Sequence, residues 1–278
     1  MQVDDEKSAP PSSSADSGRT GLIQFLEAYP NVVRTVSVLT FLIAWELAAR
    51  DSNPLFMTYP TAILRASVEL FQSGVLMRGL IDSLIPFSIG MAISIIFGVM
   101  IGLGMGISRV VEYILDPYVN ALNAVPRIAL VPLVILWFGL GVVAKVVIVV
   151  SVAIFPIIIN TFAGVRDVRG ALLDISRAYS ATPSQTLWKI IVPASLPFIM
   201  TGVRLGLGLG IIGMIVAEFF TAVTGLGGII IEYGNTFQTA KMFVAIVVVG
   251  MLGIMVSGAA MAIERHWAKW RISERERV

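Results

Sequence analysis

A chain of 278 residues with 56% hydrophobic and only 14% charged side chains, at a mean hydropathy of +0.86, is too apolar for a water-soluble domain, where charged residues alone make up roughly a quarter. It reads as a membrane protein, counted in spans of about 20 residues that each cross about 30 Å of hydrocarbon. The absence of cysteine excludes disulfides, thiolate metal sites and a thiol nucleophile, and the single histidine, His266, excludes a multi-histidine metal site or proton relay. A net charge of +2 in so apolar a chain bears on membrane orientation and not on nucleic acid.

In chain order, residues 1–30 include SAPPSSSADSG (8–18), which has no apolar periodicity and reads as a disordered tail. The first span is Thr35 to Ala49, with Glu46 near its end. Pro54 to Gln72 mixes Ile63, Leu64, Val68, Leu70 and Phe71 with Arg65 and Glu69 and reads as a surface helix. Ser83 to Ser108 is free of charge; at about 1.5 Å per residue it is long enough to cross with some tilt. A third span, Pro117 to Phe138, is interrupted by Pro126, Arg127 and Pro132. The fourth runs from Val146 to Val165, the fifth from Ala194 to Ala217 with Arg204 inside it, and the sixth from Met242 to Ile263. Gly98, Gly102 and Gly106, and Gly202, Gly206 and Gly210, recur every four residues and predict close helix packing. Gly208, Gly210 and Gly213 also match G-x-G-x-x-G, but no strand precedes them, so a dinucleotide loop is rejected.

Six spans place both termini on one side. With that side inside, 13 of the 20 basic residues lie in inner segments, five in outer ones (Lys145 and Lys241 among them), and Arg127 and Arg204 within spans. The positive-inside rule therefore predicts cytoplasmic termini. Trp267 and Trp270 beside Arg265, Lys269 and Arg271 read as an interface anchor. The methionines of the spans, Met91 and Met214 among them, read as adaptable packing and not as a soft-metal path.

The longest inner segment, 166–192, contains a helix-compatible stretch, Ala171 to Ala181. A second helix start follows, signalled by Thr182 as N-cap, Pro183 at the first position and Gln185 at the third. Alone it reads equally as an ordinary interfacial loop. Here, however, the sequence resembles the membrane-spanning permease subunits of ATP-binding-cassette (ABC) importers, whose cytoplasmic loop reads Glu-Ala-Ala, then a Gly, then a Pro. The corresponding residues are Asp174, Ile175 and Ser176, then Ser180, then Pro193. LDPYVNALNAVPRIALVPLVILWFGLG (115–141), FPIIINTFAGVRDV (155–168), LPFIMTGVRLGLG (196–208) and GLGG (225–228) resemble the nitrate, sulfonate and taurine branch in particular. Asp174, Ile175, Ser176 and Ser180 depart from the loop pattern, and Pro86 stands where that branch carries an Arg after Ser-Leu.

The resemblance implies an all-α membrane protein of six transmembrane helices with the type I ABC importer permease fold. It would have a transmembrane domain at 31–270, a coupling loop at 166–192 and a short cytoplasmic tail at 271–278. It implies docking of Asp174, Ser176, Ser180, Ala181 and Thr182 on a separate ATPase present in two copies, a second permease copy making a homodimer, and an extracytoplasmic solute-binding protein. The setting would be the inner-membrane bilayer. No enzyme activity, cofactor, metal or nucleic acid is expected of the chain, and no phosphate-binding loop of the form G-x-x-x-x-G-K-S/T occurs in it; ATP would be bound by the partner. The competing expectation is a self-sufficient secondary transporter or channel, which calls for inverted repeats and a midplane carboxylate; no internal repeat is visible. Ionisable groups at membrane depth mark path candidates, Arg127, Arg204 and Glu218 with Asn160. The alternative is that either arginine pairs with Glu218, Asn160 or backbone carbonyls and only fixes packing.

Overall fold

The computed structural model describes residues 29–53, 55–168, 170–221 and 224–267. Residues 1–28 of the tail read at 1–30, the tail at 271–278, and the anchor residues Lys269, Trp270 and Arg271 lie outside the described residues, while Tyr29 and Pro30 already belong to the start of the first helix. The chain divides into two compact units at Ala62/Ile63.

In the first unit α1 (Pro30–Arg50) starts on a proline at its first turn and exposes Val36, Leu39, Phe41, Ile43 and Leu47, a surface suited to lipid and not to water. Glu46, the charge near the end of this span, has a use there. Its carboxylate accepts from the amide of Thr61 (3.0 Å) and from its hydroxyl (2.7 Å) and pairs with Arg50 at 3.0 Å. An acid at the first turn of the next helix, α2 (Pro60–Gln72), favours that helix's dipole.

The second unit is a helical bundle. Its long helices are α3 (Val75–Ile107), α6 (Val142–Arg166), α9 (Val192–Thr221) and α11 (Thr239–Trp267). Between α3 and α6 the chain forms α4 (Arg109–Ala124), a 3₁₀ turn (Arg127–Leu130) and α5 (Val131–Phe138). Five described helices are long and apolar enough to cross a membrane, six if the bent pair Arg109–Ala124 and Arg127–Phe138 counts as one span. That pair bends by 85°. The expected third span is therefore broken, and it begins at Arg109 instead of Pro117. Pro126 bars the helical conformation at the residue before it, and Val125 is accordingly extended, at φ −68° and ψ 134°.

α6 lies at the centre, with α3 on one side and α9 on the other. Phe87 and Met91 of α3, Val149, Ala153 and Ile157 of α6, and Ile199, Val203, Ile211 and Met214 of α9 form one buried cluster. Glycines bring the backbones together. A Cβ on Gly102 would stand 2.6 Å from Thr161 Cβ and 2.7 Å from Ile158 O; one on Gly206 would stand 2.9 Å from Ala153 O. Lipid tails are as apolar as leucine, so such helices associate through close packing and not through a hydrophobic drive. Gly208 has nothing within 4 Å and takes no part.

These glycines give a contrast. Gly102→Ala is expected to lower the stability of the detergent-solubilised protein by about 1–3 kcal/mol, the usual cost of overpacking. Gly208→Ala, with open space beside it, is expected to be neutral or to stabilise by up to about 1 kcal/mol through helix propensity. Thermal unfolding of the two variants checks the pair; equal effects would refute the packing assignment.

Candidate functional site

The segment between α6 and α9 folds as two helical pieces around a sharp turn. α7 (Gly170–Ala178) ends three residues earlier than the sequence predicts. The reason is a Schellman closure: Ala181 N donates to Ser176 O at 2.9 Å and Ser180 N to Arg177 O at 2.9 Å, while Ser180 adopts φ +49°. A left-handed residue at this position is usually glycine because it has no Cβ to clash, which is the physical sense of the Gly in the loop pattern that Ser180 replaces. The N-cap that follows forms as expected. Thr182 Oγ1 accepts from Gln185 N at 3.3 Å, Gln185 Oε1 accepts from Thr182 N at 3.0 Å, and Pro183 opens α8 (Pro183–Thr186). A π-helical turn, Leu187–Ile191, then leads into α9.

Of the five docking residues read from the sequence, Asp174, Ser180 and Thr182 are exposed and Ala181 is half-buried. Ser176 is turned inward, 7% exposed, with its hydroxyl donating to Leu173 O at 2.8 Å. Asp174 pairs with Arg177 at 3.2 Å on the surface. Apolar groups are also presented to the outside, Ile175, Tyr179 and Trp188, with Tyr179 84% exposed. The turn at Ser180 leaves Tyr179 projecting from the end of α7.

The four ionisable and polar candidates within spans are not gathered into one cluster. Arg204 pairs with Glu264 of α11 at 3.5 Å. Asn160 Nδ2 donates to Pro156 O at 2.8 Å. Arg127 caps the end of α4, with Nη2 donating to Asn123 O at 2.8 Å and Asn123 Oδ1 at 2.7 Å. Its Nη1 donates to Val152 O at 3.4 Å, and its guanidinium stacks 5.0 Å from the centre of the Phe155 ring. The Val152 carbonyl is open to Arg127 because Pro156, four residues on, has no amide to offer it.

Glu218 is fully buried near the end of α9. Oε1 accepts from Ser83 Oγ at 2.7 Å and Oε2 from Gly227 N at 2.8 Å, and Lys145 Nζ stands 3.6 Å away. Lys145 also donates to Thr224 O and Oγ1, each at 3.0 Å, and Ser83 Oγ accepts from Leu226 N at 2.8 Å. The loop position read for Lys145 is thus corrected: it lies in the first turn of α6, only 3% exposed, because the buried carboxylate draws it in. Gly225, at φ +98°, and Gly227 both lie against Glu218, where any Cβ would collide. The GLGG signature is therefore a turn wrapped around a carboxylate, opening α10 (Leu226–Asn235). Among the described residues no group of three or more metal-ligating side chains occurs.

Residues 94–269 match the family described as the binding-protein-dependent transport system inner membrane component. The chain belongs to that family. A putative aliphatic sulfonates transport permease protein, SsuC, of Bacillus subtilis (strain 168) is 36% identical over 214 residues, 77% of this chain and 78% of the relative. The taurine transport system permease protein TauC of Escherichia coli (strain K12) is 29% identical over 244 residues, 86% of this chain and 88% of its own. In structure the chain is similar to the MetNI methionine ABC transporter in an inward-facing conformation, at a TM-score of 0.59 and 21% identity, with 70% of this chain and 97% of that one covered. The fold is that of type I ABC importer permeases, and the protein is a multi-pass membrane transport subunit, not an enzyme.

Two measurements test this geometry. Glu218→Gln leaves the Lys145 ammonium buried without its counter-charge and is expected to cost about 3–5 kcal/mol, most of which Lys145→Met in the same chain recovers; thermal stability in detergent reads both. Ser180→Gly removes the strain of a left-handed serine and is expected to raise stability by about 0.5–1 kcal/mol, whereas a β-branched residue there lowers it.

Proposed function

We propose that this chain is the path-forming subunit of an ATP-driven importer that takes a small organic anion from an extracytoplasmic binding protein, with a second copy of itself and two ATPase subunits. The observation that carries the reading is the exposed, doubly capped turn between α7 and α8. It is a projection with Asp174, Tyr179 and Thr182 on its outside, set between two long spans, α6 and α9. Docked in a groove of an ATPase, it converts closure of the two ATPases into displacement of those spans. In this arrangement Asp174, Ala181 and Thr182 face the contact, while Ser176 and Ser180 shape the turn. The chain itself needs no cofactor, and ATP is held by the partner. The α7 end, where the basic residues concentrate, is the cytoplasmic end.

The bent span supports the second copy. Irregular backbone at membrane depth is tolerated only when covered by protein or lining water, yet around the break Pro126, Ile128 and Leu130 are exposed. A homodimer with the path along this surface meets that requirement and places the half-exposed face of Arg127 on the path, where a guanidinium suits an oxyanion. The sulfonate and taurine permeases among the relatives make sulfonate-like anions the first substrates to try.

Co-purification with an ATPase, followed by ATP-dependent uptake of a sulfonate into liposomes supplied with the binding protein, tests the reading. Transport by the chain alone would overturn it in favour of a secondary transporter. Asp174→Arg combined with Ala181→Glu is expected to abolish ATPase association and leave membrane insertion intact. A complex that survives the double change would remove the coupling role from this turn.

A further inference from the structure

Arg166 is the last residue of α6, and from it the chain passes within a few residues into α7. Its Nη2 is bonded to Oε2 of Glu112, which lies in the first turn of α4. The Arg166 guanidinium also lies over the Phe162 ring, 5.6 Å from its centre. The neighbouring Val165 is seated on Gly106, in the last turn of α3, where a Cβ would collide with it. Ser108 joins α3 to α4 as cap to both, its hydroxyl accepting from Val111 N at 3.4 Å. The root of the α7 segment, the end of α3 and the start of α4 thus meet at one corner.

α4 is tied to α6 a second time at its far end, through Arg127 and Val152 O at 3.4 Å. Between the two ties Val119 and Leu115 pack on Phe155, Ile158 and Phe162. α4 is a helix of 16 residues with Pro117 in its interior, packed on α6 on both sides of that proline and held at one end where α7 begins and at the other where the span breaks.

We infer that the Glu112–Arg166 pair is the positioning link that carries displacement of the α7 turn to the break at Val125–Arg127, so that nucleotide-driven motion at the ATPase reaches the path through α4. The inference rests on the importer reading above. Its physical content is narrow. A glutamate with 18% of its side chain exposed and an arginine with 43% exposed contribute little to stability, but they fix the angle between two helices at the point where the coupling turn leaves the bundle. A push on α7 that moves the end of α6 then draws the start of α4 with it, and the packing of Leu115 and Val119 on α6 carries the shift along the helix. Without the pair, α6 can shift past α4 over the apolar contacts, which slide.

The chain has no native cysteine, so a single introduced cysteine is its only thiol, and labelling is read on this chain after separation from its partners. Ile128→Cys, at the exposed break, is reacted with a membrane-impermeant maleimide in the full complex in liposomes, with and without ATP and vanadate. With the pair intact, nucleotide trapping is expected to change the labelling rate about tenfold, within the range usual for coupling between sites. With Glu112→Gln or Arg166→Gln the change is expected to fall below about twofold, and the swap Glu112→Arg with Arg166→Glu to restore it, because attraction between the two groups and not their identity is what matters. ATPase association is expected to be unaffected in all three. A neutral variant that keeps the full nucleotide response, or a swap that does not recover it, overturns the link. If the unsubstituted chain fails to bind an ATPase, the importer reading itself falls, a separate result read in the same preparation.

Discussion

The bundle depends on the close approach of α3 and α9 to α6. In water a helix pair is driven together by burying apolar side chains; in hydrocarbon that gain vanishes, and contact has to come from backbones near enough for dispersion to act over their whole length. Gly90, Gly98, Gly102 and Gly106 of α3 face Val149, Ile157, Thr161 and Val165 of α6, and Gly202, Gly206 and Gly213 of α9 face the other side of the same helix. Because α6 is gripped on both flanks, the contacts at its two ends decide how it can move. At one end Lys145 reaches Glu218, and at the other Arg166 reaches Glu112.

The two ends are built differently. The Lys145–Glu218 knot is fully buried and draws Ser83, Thr224, Leu226 and Gly227 into a single network, so α3, α6, α9 and the start of α10 cannot move independently there. A buried pair of this kind contributes less to net stability than to specifying one arrangement, since its desolvation offsets much of its attraction. The Glu112–Arg166 end is partly hydrated and made of one pair and a ring contact. Under the importer reading, a span that rocks needs one such firm end and one that follows its neighbour. The Arg204–Glu264 pair between α9 and α11, also partly exposed, belongs to the second kind.

The spans were legible in the sequence because hydrocarbon imposes length and charge exclusion directly on the chain, and the capping box at Thr182 and the glycine faces because both are local patterns. What could not be read was pairing over long separations. Lys145 and Glu218 lie in different helices, and a lysine three residues into an apolar run reads equally as the end of a loop. Pro126 announced a break in the third span but not its 85° angle, which is set by α5 packing through Val131 and Val134 against Ala144, Ile148 and Ala217. The inward turn of Ser176 follows from which face of α7 meets the bundle, and a nine-residue helix leaves that phase undetermined in the sequence.

The two readings of Arg127, path residue or packing device, are not exclusive. Pro156 leaves the carbonyl of Val152 without its helical donor, and the break after Ala124 leaves that of Asn123 open as well; an unpaired carbonyl at membrane depth costs several kcal/mol. Arg127 supplies both with donors. A guanidinium carries five N–H groups, and the three bonds to Val152 and Asn123 leave two without a partner among the described residues. Lysine has only three donors and no plane to lay on Phe155, so it could not mend both carbonyls and keep two N–H groups over. The position therefore asks for arginine on structural grounds alone, and the anion-binding capacity comes with it. The prolines that break the helices and the cation that repairs them form one device, and under the importer reading its unspent donors are what a passing oxyanion meets.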